Sequence, residues 1–204
     1  MKLKKIFYSL ALLSSFSLFT ACSDVFSLDF TKQESVDKLR GRLAEEIDEN
    51  VVIVDLSFGS DDEGFSSTMN YAMVTYYEGD EMKAKRVSLG GGGTRDWKPS
   101  FALKSKKPEY GAKLSEIDFS NIAANVQKGI AMFESDPINL QFSGIGGYDI
   151  KFSEKSKGTL HEFSLQSRGG TKMTTASNGR LATETEYYEL DFEVTPEGDV
   201  VWVR

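Results

Sequence analysis

The order of helix and strand signals predicts an α+β protein: two helices, each followed by an antiparallel β-meander, with a tandem helix-on-sheet repeat as one arrangement. Three observations predict it. Apolar residues recur at helical spacing in two places, Val36–Leu39–Leu43–Ile47 and Ile122–Val126–Ile130–Phe133. Each is followed by segments of alternating apolar and polar residues, cut by Gly, Asn and Pro turn signals. The blocks so defined, 31–115 and 116–204, are similar in length, and each is large enough for a small core. The alternative arrangement is one domain with a single long sheet and both helices on one face.

In the first unit, Thr31-Lys32-Gln33-Glu34 reads as a capping box at the start of a helix, with Gly41 weakening its middle. Val51–Phe58 reads as a strand with Val52, Val54, Leu56 and Phe58 on one face. Gly59–Gly64 is an acidic turn, Thr68–Tyr77 the partner strand, and Gly79-Asp80 the turn into Lys83–Leu89. Gly90–Gly93 breaks the pattern. Residues 94–115, with Pro99, Pro108 and Gly111, are the least regular part, and Phe101–Leu103 is a candidate short strand.

In the second unit, Asp118 is the expected N-cap, with Ile117 and Ile122 forming a hydrophobic staple. Asp136-Pro137 ends the helix. Strands are expected at Ile138–Phe142, Tyr148–Phe152 and Thr159–Gln166, the last continuing past a Gly169-Gly170 bulge to Ala176. Asn178-Gly179 is a hairpin turn, because both residues accept positive φ. Beyond it Tyr188, Leu190, Phe192 and Val194 alternate with Glu189, Asp191 and Glu193. Pro196–Asp199 then turns into a last strand, Val200–Val203.

The N-terminus reads as an address. Lys2, Lys4 and Lys5 precede an apolar run from Ile6 to Phe19, and Thr20-Ala21-Cys22 closes it with small residues. This resembles the signal of bacterial lipoproteins, in which the cysteine thiol is acylated and the signal is cut just before it. Phe19 stands three before the cysteine, where the family usually has a branched aliphatic residue. The resemblance implies residues 1–21 as signal peptide, Cys22 as the lipidation site, 22–30 as a tether, and a cell-envelope location. Ser23, rather than Asp, follows the cysteine, which by the same resemblance implies the outer membrane facing the periplasm. The apolar run is too short for a bilayer span, which needs about 20 residues. In element order the chain also resembles beta-lactamase-inhibitor-like and PepSY-type envelope proteins.

Composition narrows the function. Of 204 residues, loss of 1–21 leaves 183, and loss of three lysines takes the formal charge from −7 to −10. So acidic a protein does not condense onto nucleic acid. Cys22 is the single cysteine, so lipidation leaves no thiol for disulfides or catalysis. Eight acids and no base lie between Glu45 and Glu63, and seven acids and no base between Glu184 and Asp199. Arg95 to Lys113 is instead rich in lysine.

No catalytic set is visible. His161 is the single histidine and is read as a packed strand residue. With one His and no free Cys, a zinc or copper site lacks soft ligands, and no cofactor is implied. Gly90–Gly93 lacks the Lys-Ser/Thr of a P-loop, and Asp61-Asp62-Glu63 lacks the spacing of a calcium loop. Tyr76-Tyr77 and Tyr187-Tyr188 place one ring on each strand face, so one ring of each pair is expected outside. Tyr77, Tyr187 and the loop residue Trp97 are therefore the candidate partner-binding residues. The expected function is a lipid-anchored, non-catalytic binding or scaffolding protein with an envelope protein partner. The alternatives are an inhibitor or immunity lipoprotein that blocks a periplasmic enzyme, and a carboxylate-dependent hydrolase.

Overall fold

Phe30 stands eight residues beyond Cys22, yet its ring is fully enclosed. It packs against Phe58 at 5.2 Å and Tyr148 at 5.7 Å between ring centroids. The chain is thus committed to the core by Phe30. The computed structural model describes residues 27–61, 65–90, 93–98, 110–135, 140–153, 158–175 and 181–203. The signal, Cys22, Phe101–Leu103 and the Asn178-Gly179 turn lie outside these residues. The predicted tether is shorter than 22–30, because Leu28–Asp29 (β1) pairs antiparallel with Thr68–Met69 (β3).

The capping box is not formed. Thr31 gives both its amide and its hydroxyl to the Asp29 carboxylate, at 3.0 and 2.7 Å, so it is not free to cap the helix. Lys32 is the N-cap. The first helix is broken at Lys38 into α1, Gln33–Asp37, and α2, Leu39–Ala44. Its predicted stripe holds: Val36, Leu39, Leu43 and Ile47 are all buried. The second helix, α3, runs Ile122–Glu134 behind a 3₁₀ turn at Leu114–Glu116, with Asn121 rather than Asp118 as N-cap. Asp118 instead accepts the Ser120 amide at 2.8 Å.

The expected pair of helix-plus-meander units is not what forms. The protein is mostly β, built on one eight-stranded antiparallel sheet. Its strands are β2 (Val52–Gly59), β4 (Tyr71–Glu78), β5 (Glu81–Ser88), β6 (Thr94–Trp97), β7 (Gly144–Ser153), β8 (Gly158–Thr175), β9 (Leu181–Val194) and β10 (Val200–Val203). Their order is β10-β9-β8-β7-β2-β4-β5-β6. Two meanders exist, but β2 bonds to β4 on one side and to β7 on the other, so they fuse edge to edge. Fusion lets both blocks bury apolar faces in one core, as in the one-sheet alternative, where a four-strand unit would have kept two open edges.

A one-residue bulge corrects the phase of β2. Ile53 opposes Tyr76 and Asp55 opposes Thr75, which leaves Val54 extra. Ile53 therefore joins Leu56 and Phe58 on the helix side, and Val52 is 41% exposed rather than aligned with them. The predicted Gly169-Gly170 bulge is present, between Arg168 and Thr171. Gly79, at φ 63°, makes the tight turn from β4 to β5.

The helix-facing side carries a ladder of rings. Phe58, Tyr148, Phe163, Phe192 and Trp202 are successive cross-strand partners from β2 to β10. Tyr148 stacks on Phe163 at 5.6 Å, Phe163 on Phe192 at 5.3 Å, and Phe192 on Trp202 at 6.4 Å. Cross-strand aromatic pairs contribute about 0.2–1 kcal/mol each beyond Ala pairs. α3 seats closely on this ladder through Gly129, where a Cβ would lie 2.6 Å from the Phe163 ring.

Candidate functional site

Strand alternation puts Asp55, Ser57, Asp149, Lys151, Glu162, Ser164, Glu189, Asp191 and Glu193 on the sheet face opposite the helices. Glu162 stands directly opposite Asp149 on one side and Glu193 on the other. Opposed like charges destabilise a sheet, so this row is maintained against its own repulsion. Lys151 offsets part of it by pairing with Glu162.

Part of this face lines an open groove of about 480 Å³, with Asp149, Glu162, Glu189, Asp191 and Glu193 supplying carboxylates and Val203 also in its lining. Gly146 shapes its floor. It is the extra residue of a bulge between Ile145 and Gly147. A Cβ there would collide with the Ser164 hydroxyl and stand 2.8 Å from Gln166 Nε2 and 2.9 Å from Glu189 Oε1. The missing side chain leaves room for Gln166 to donate to Glu189 at 3.0 Å.

Titration follows the crowding. Burial pushes the Asp55 carboxyl above its ordinary value and the neighbouring Asp149 carboxylate adds to this, while Lys151 opposes it. Burial pulls the Lys151 ammonium down, but its hydrogen bond to Glu162 and the charges of Glu162, Asp149 and Asp55 outweigh it, so the net shift is upward. Among the described residues, no group of three or more His, Cys, Asp or Glu is placed to hold a metal ion.

A second, smaller pocket of about 230 Å³ lies on the helix side, among Asp118, Asn121, Asn125, Lys128, His161 and Val194. His161 Nδ1 sits 2.9 Å from the Tyr148 hydroxyl, which also bonds to the buried amide of Asn125. Burial lowers the imidazole pKa to about 4, against a weaker upward pull from Asp118. Burial raises the Tyr148 phenol above its ordinary value. His161 is therefore a neutral packing residue in an interior hydrogen-bond network.

The candidate aromatics are not gathered together. Trp97 is 49% exposed on β6, at one end of the sheet, and Tyr187 is 58% exposed on β9, near the other. Tyr77 is buried, and so is Tyr76; Tyr187 and Tyr188 are both exposed. The one-in, one-out expectation assumes one covered face along a strand. At Tyr76-Tyr77 both rings of β4 are enclosed, whereas at Tyr187-Tyr188 both rings stay at least half exposed, Tyr187 having only the Phe65 ring edge-on at 6.2 Å among the ring contacts of the described residues. The groove carboxylates were legible only as the acids of an alternating strand, because their neighbours on β7 and β8 lie far away in sequence.

A solved structure of a candidate lipoprotein from Clostridium difficile is similar to this chain, with 12% identity and a TM-score of 0.34, over 79% of this chain and 95% of that one. No protein-family model and no curated protein matches the chain.

Proposed function

We propose that this is a lipid-anchored envelope protein of the binding or scaffolding type, without catalysis, whose acidic open sheet face receives a partner carrying positive charge. The observation that carries the partner assignment is the row Asp149–Glu162–Glu193 with Glu189 and Asp191, set across β7, β8 and β9. Such a row stores repulsion that a cationic surface relieves, and it steers association through long-range attraction. The anchor rests on the basic, apolar and small-residue regions of residues 1–22. Several acyl chains, at about 0.8 kcal/mol per buried methylene, make attachment effectively permanent.

The test has two parts. Cells are fed an alkyne-bearing fatty acid, and label at Cys22 is sought in the wild type and in Cys22→Ala. Label with membrane residence in the first and neither in the second is expected; a soluble, unlabelled wild type overturns the anchor. A photo-crosslinker is then placed at Glu189 or Asp191, and at the helix residue Glu134 as control. Adducts at the sheet positions that vanish in high salt are expected. Equal adducts at Glu134 overturn the docking face.

The hydrolase reading has one observation in its favour: a carboxyl raised above its ordinary value, Asp55, beside a second acid, Asp149. Turnover of envelope polysaccharides unchanged by Asp55→Asn removes it.

A further inference from the structure

The geometry points to a strand-addition site on β9, one that takes an extended basic segment of a partner protein. β9 pairs with β8 from Val194 to Leu181, but β10 covers only Val194 to Asp191. Among the described residues, Leu181–Leu190 therefore has a strand on one side and none on the other. β7 likewise stops opposite Gln166, so the outer halves of β8 and β9 leave the sheet as a two-stranded ribbon. A ribbon of two strands is marginal in water, and a third strand stabilises it. Among the described residues, that uncovered edge is about 30 Å long at roughly 3.4 Å per residue, room for nine or so residues of extended chain.

Two further observations say what fits there. Seven large apolar side chains are exposed among the described residues; two of them, Tyr187 and Tyr188, lie on this edge, and three, Val201, Trp202 and Val203, lie on β10 beside it. Trp202 is the last rung of the aromatic ladder and carries the core's stacking out to solvent. Exposed aromatics beside an unpaired edge are what a strand-adding peptide uses, with backbone bonds for affinity and side chains for selection. The edge strand is itself acidic, with one base of β8, Lys172, in register with its Glu184. Leu181–Leu190 holds Glu184, Glu186 and Glu189 and no base. Two copies pairing through β9 would set acids near acids, which is unfavourable. By sequence, the complement of this edge is a lysine- or arginine-bearing strand. Glu189, Asp191 and Val203 also line the acidic groove, so a strand seated on β9 runs along its rim. This inference rests on the binding reading above and specifies the form of the partner: an extended strand, antiparallel to β9 as every pair in the sheet is.

The test uses the full chain in detergent and three synthetic nine-residue peptides: alternating Lys-Val, the same peptide N-methylated at alternate amides, and alternating Glu-Val. Hydrogen exchange of β9 amides is read at saturation. The Lys-Val peptide is expected to slow exchange within 181–190 by about tenfold, and the other two to leave it unchanged. Glu184→Lys with Glu186→Lys is expected to weaken the Lys-Val peptide roughly tenfold and to let the Glu-Val peptide bind. Should that variant not fold, the N-methyl comparison on the wild type still decides. If the N-methylated peptide binds equally and protects nothing in β9, strand addition is overturned while the acidic docking face stands. If no peptide binds, both fall. If protection of 181–190 instead rises with protein concentration and sedimentation shows a dimer, a second copy occupies the edge and the basic-segment assignment is overturned.

Discussion

Replacing His161 with Gln tests the buried network through its pH dependence. The folded imidazole titrates at about 4, against about 6.5 when free, chiefly because burial opposes its charge. Between these values the unfolded chain takes up a proton that the folded chain refuses. Stability is therefore full above about pH 6.5, falls as the pH drops through that window, and levels off below about pH 4. At about 1.4 kcal/mol per pH unit, the difference is worth roughly 3 kcal/mol. The glutamine amide can still accept the Tyr148 hydroxyl, so the network loses its titration before its hydrogen bond. The assay is urea unfolding of wild type and His161→Gln at about pH 7 and about pH 4, comparing the stability each loses on acidification. Groups common to both proteins cancel in that comparison. The wild type is expected to lose roughly 3 kcal/mol more than the variant. Losses that agree within about 0.5 kcal/mol would refute the claim that the fold holds this imidazole neutral.

Three other outcomes follow from the packing. Asp55 is shifted upward, so its neutral form is favoured in the fold and its contribution is lost as the pH rises through the raised value. Asp55→Asn should accordingly melt higher than wild type at neutral pH, with the gap closing in acid. Gly129→Ala gains about 1 kcal/mol of helix propensity but drives a Cβ to 2.6 Å from the Phe163 ring, so a net destabilisation of about 1–3 kcal/mol is expected by calorimetry. Phe30→Ala should cost about 3–5 kcal/mol in chemical denaturation, as for any fully enclosed ring; a cost under about 1 kcal/mol would return Phe30 to the tether.

Local features were legible in the sequence. The stripes Val36–Ile47 and Ile122–Phe133, the bulge at Gly169-Gly170 and the turn before Val200 each depend on a few neighbouring residues, and each is present. What failed were inferences about partners distant in the chain. The pairing of Leu56 with Ile150 joins the two halves across more than ninety residues and leaves no local trace. The bulge at Val54 carries no glycine to announce it, so strict alternation assigned Val52 to the wrong face. The same blindness hid the site. Glu189, Asp191 and Glu193 looked like an ordinary solvated strand face, and only the register with Glu162 and Asp149 makes them a row.

The early commitment of the chain at β1 has a spatial consequence. Six residue steps separate Cys22, the proposed acylation site, from Leu28, where the β1–β3 pairing begins. Fully stretched, that leash reaches about 20 Å. Under the proposed anchor, the folded body would ride against the headgroups, and a partner would have to come within that thin layer above the bilayer.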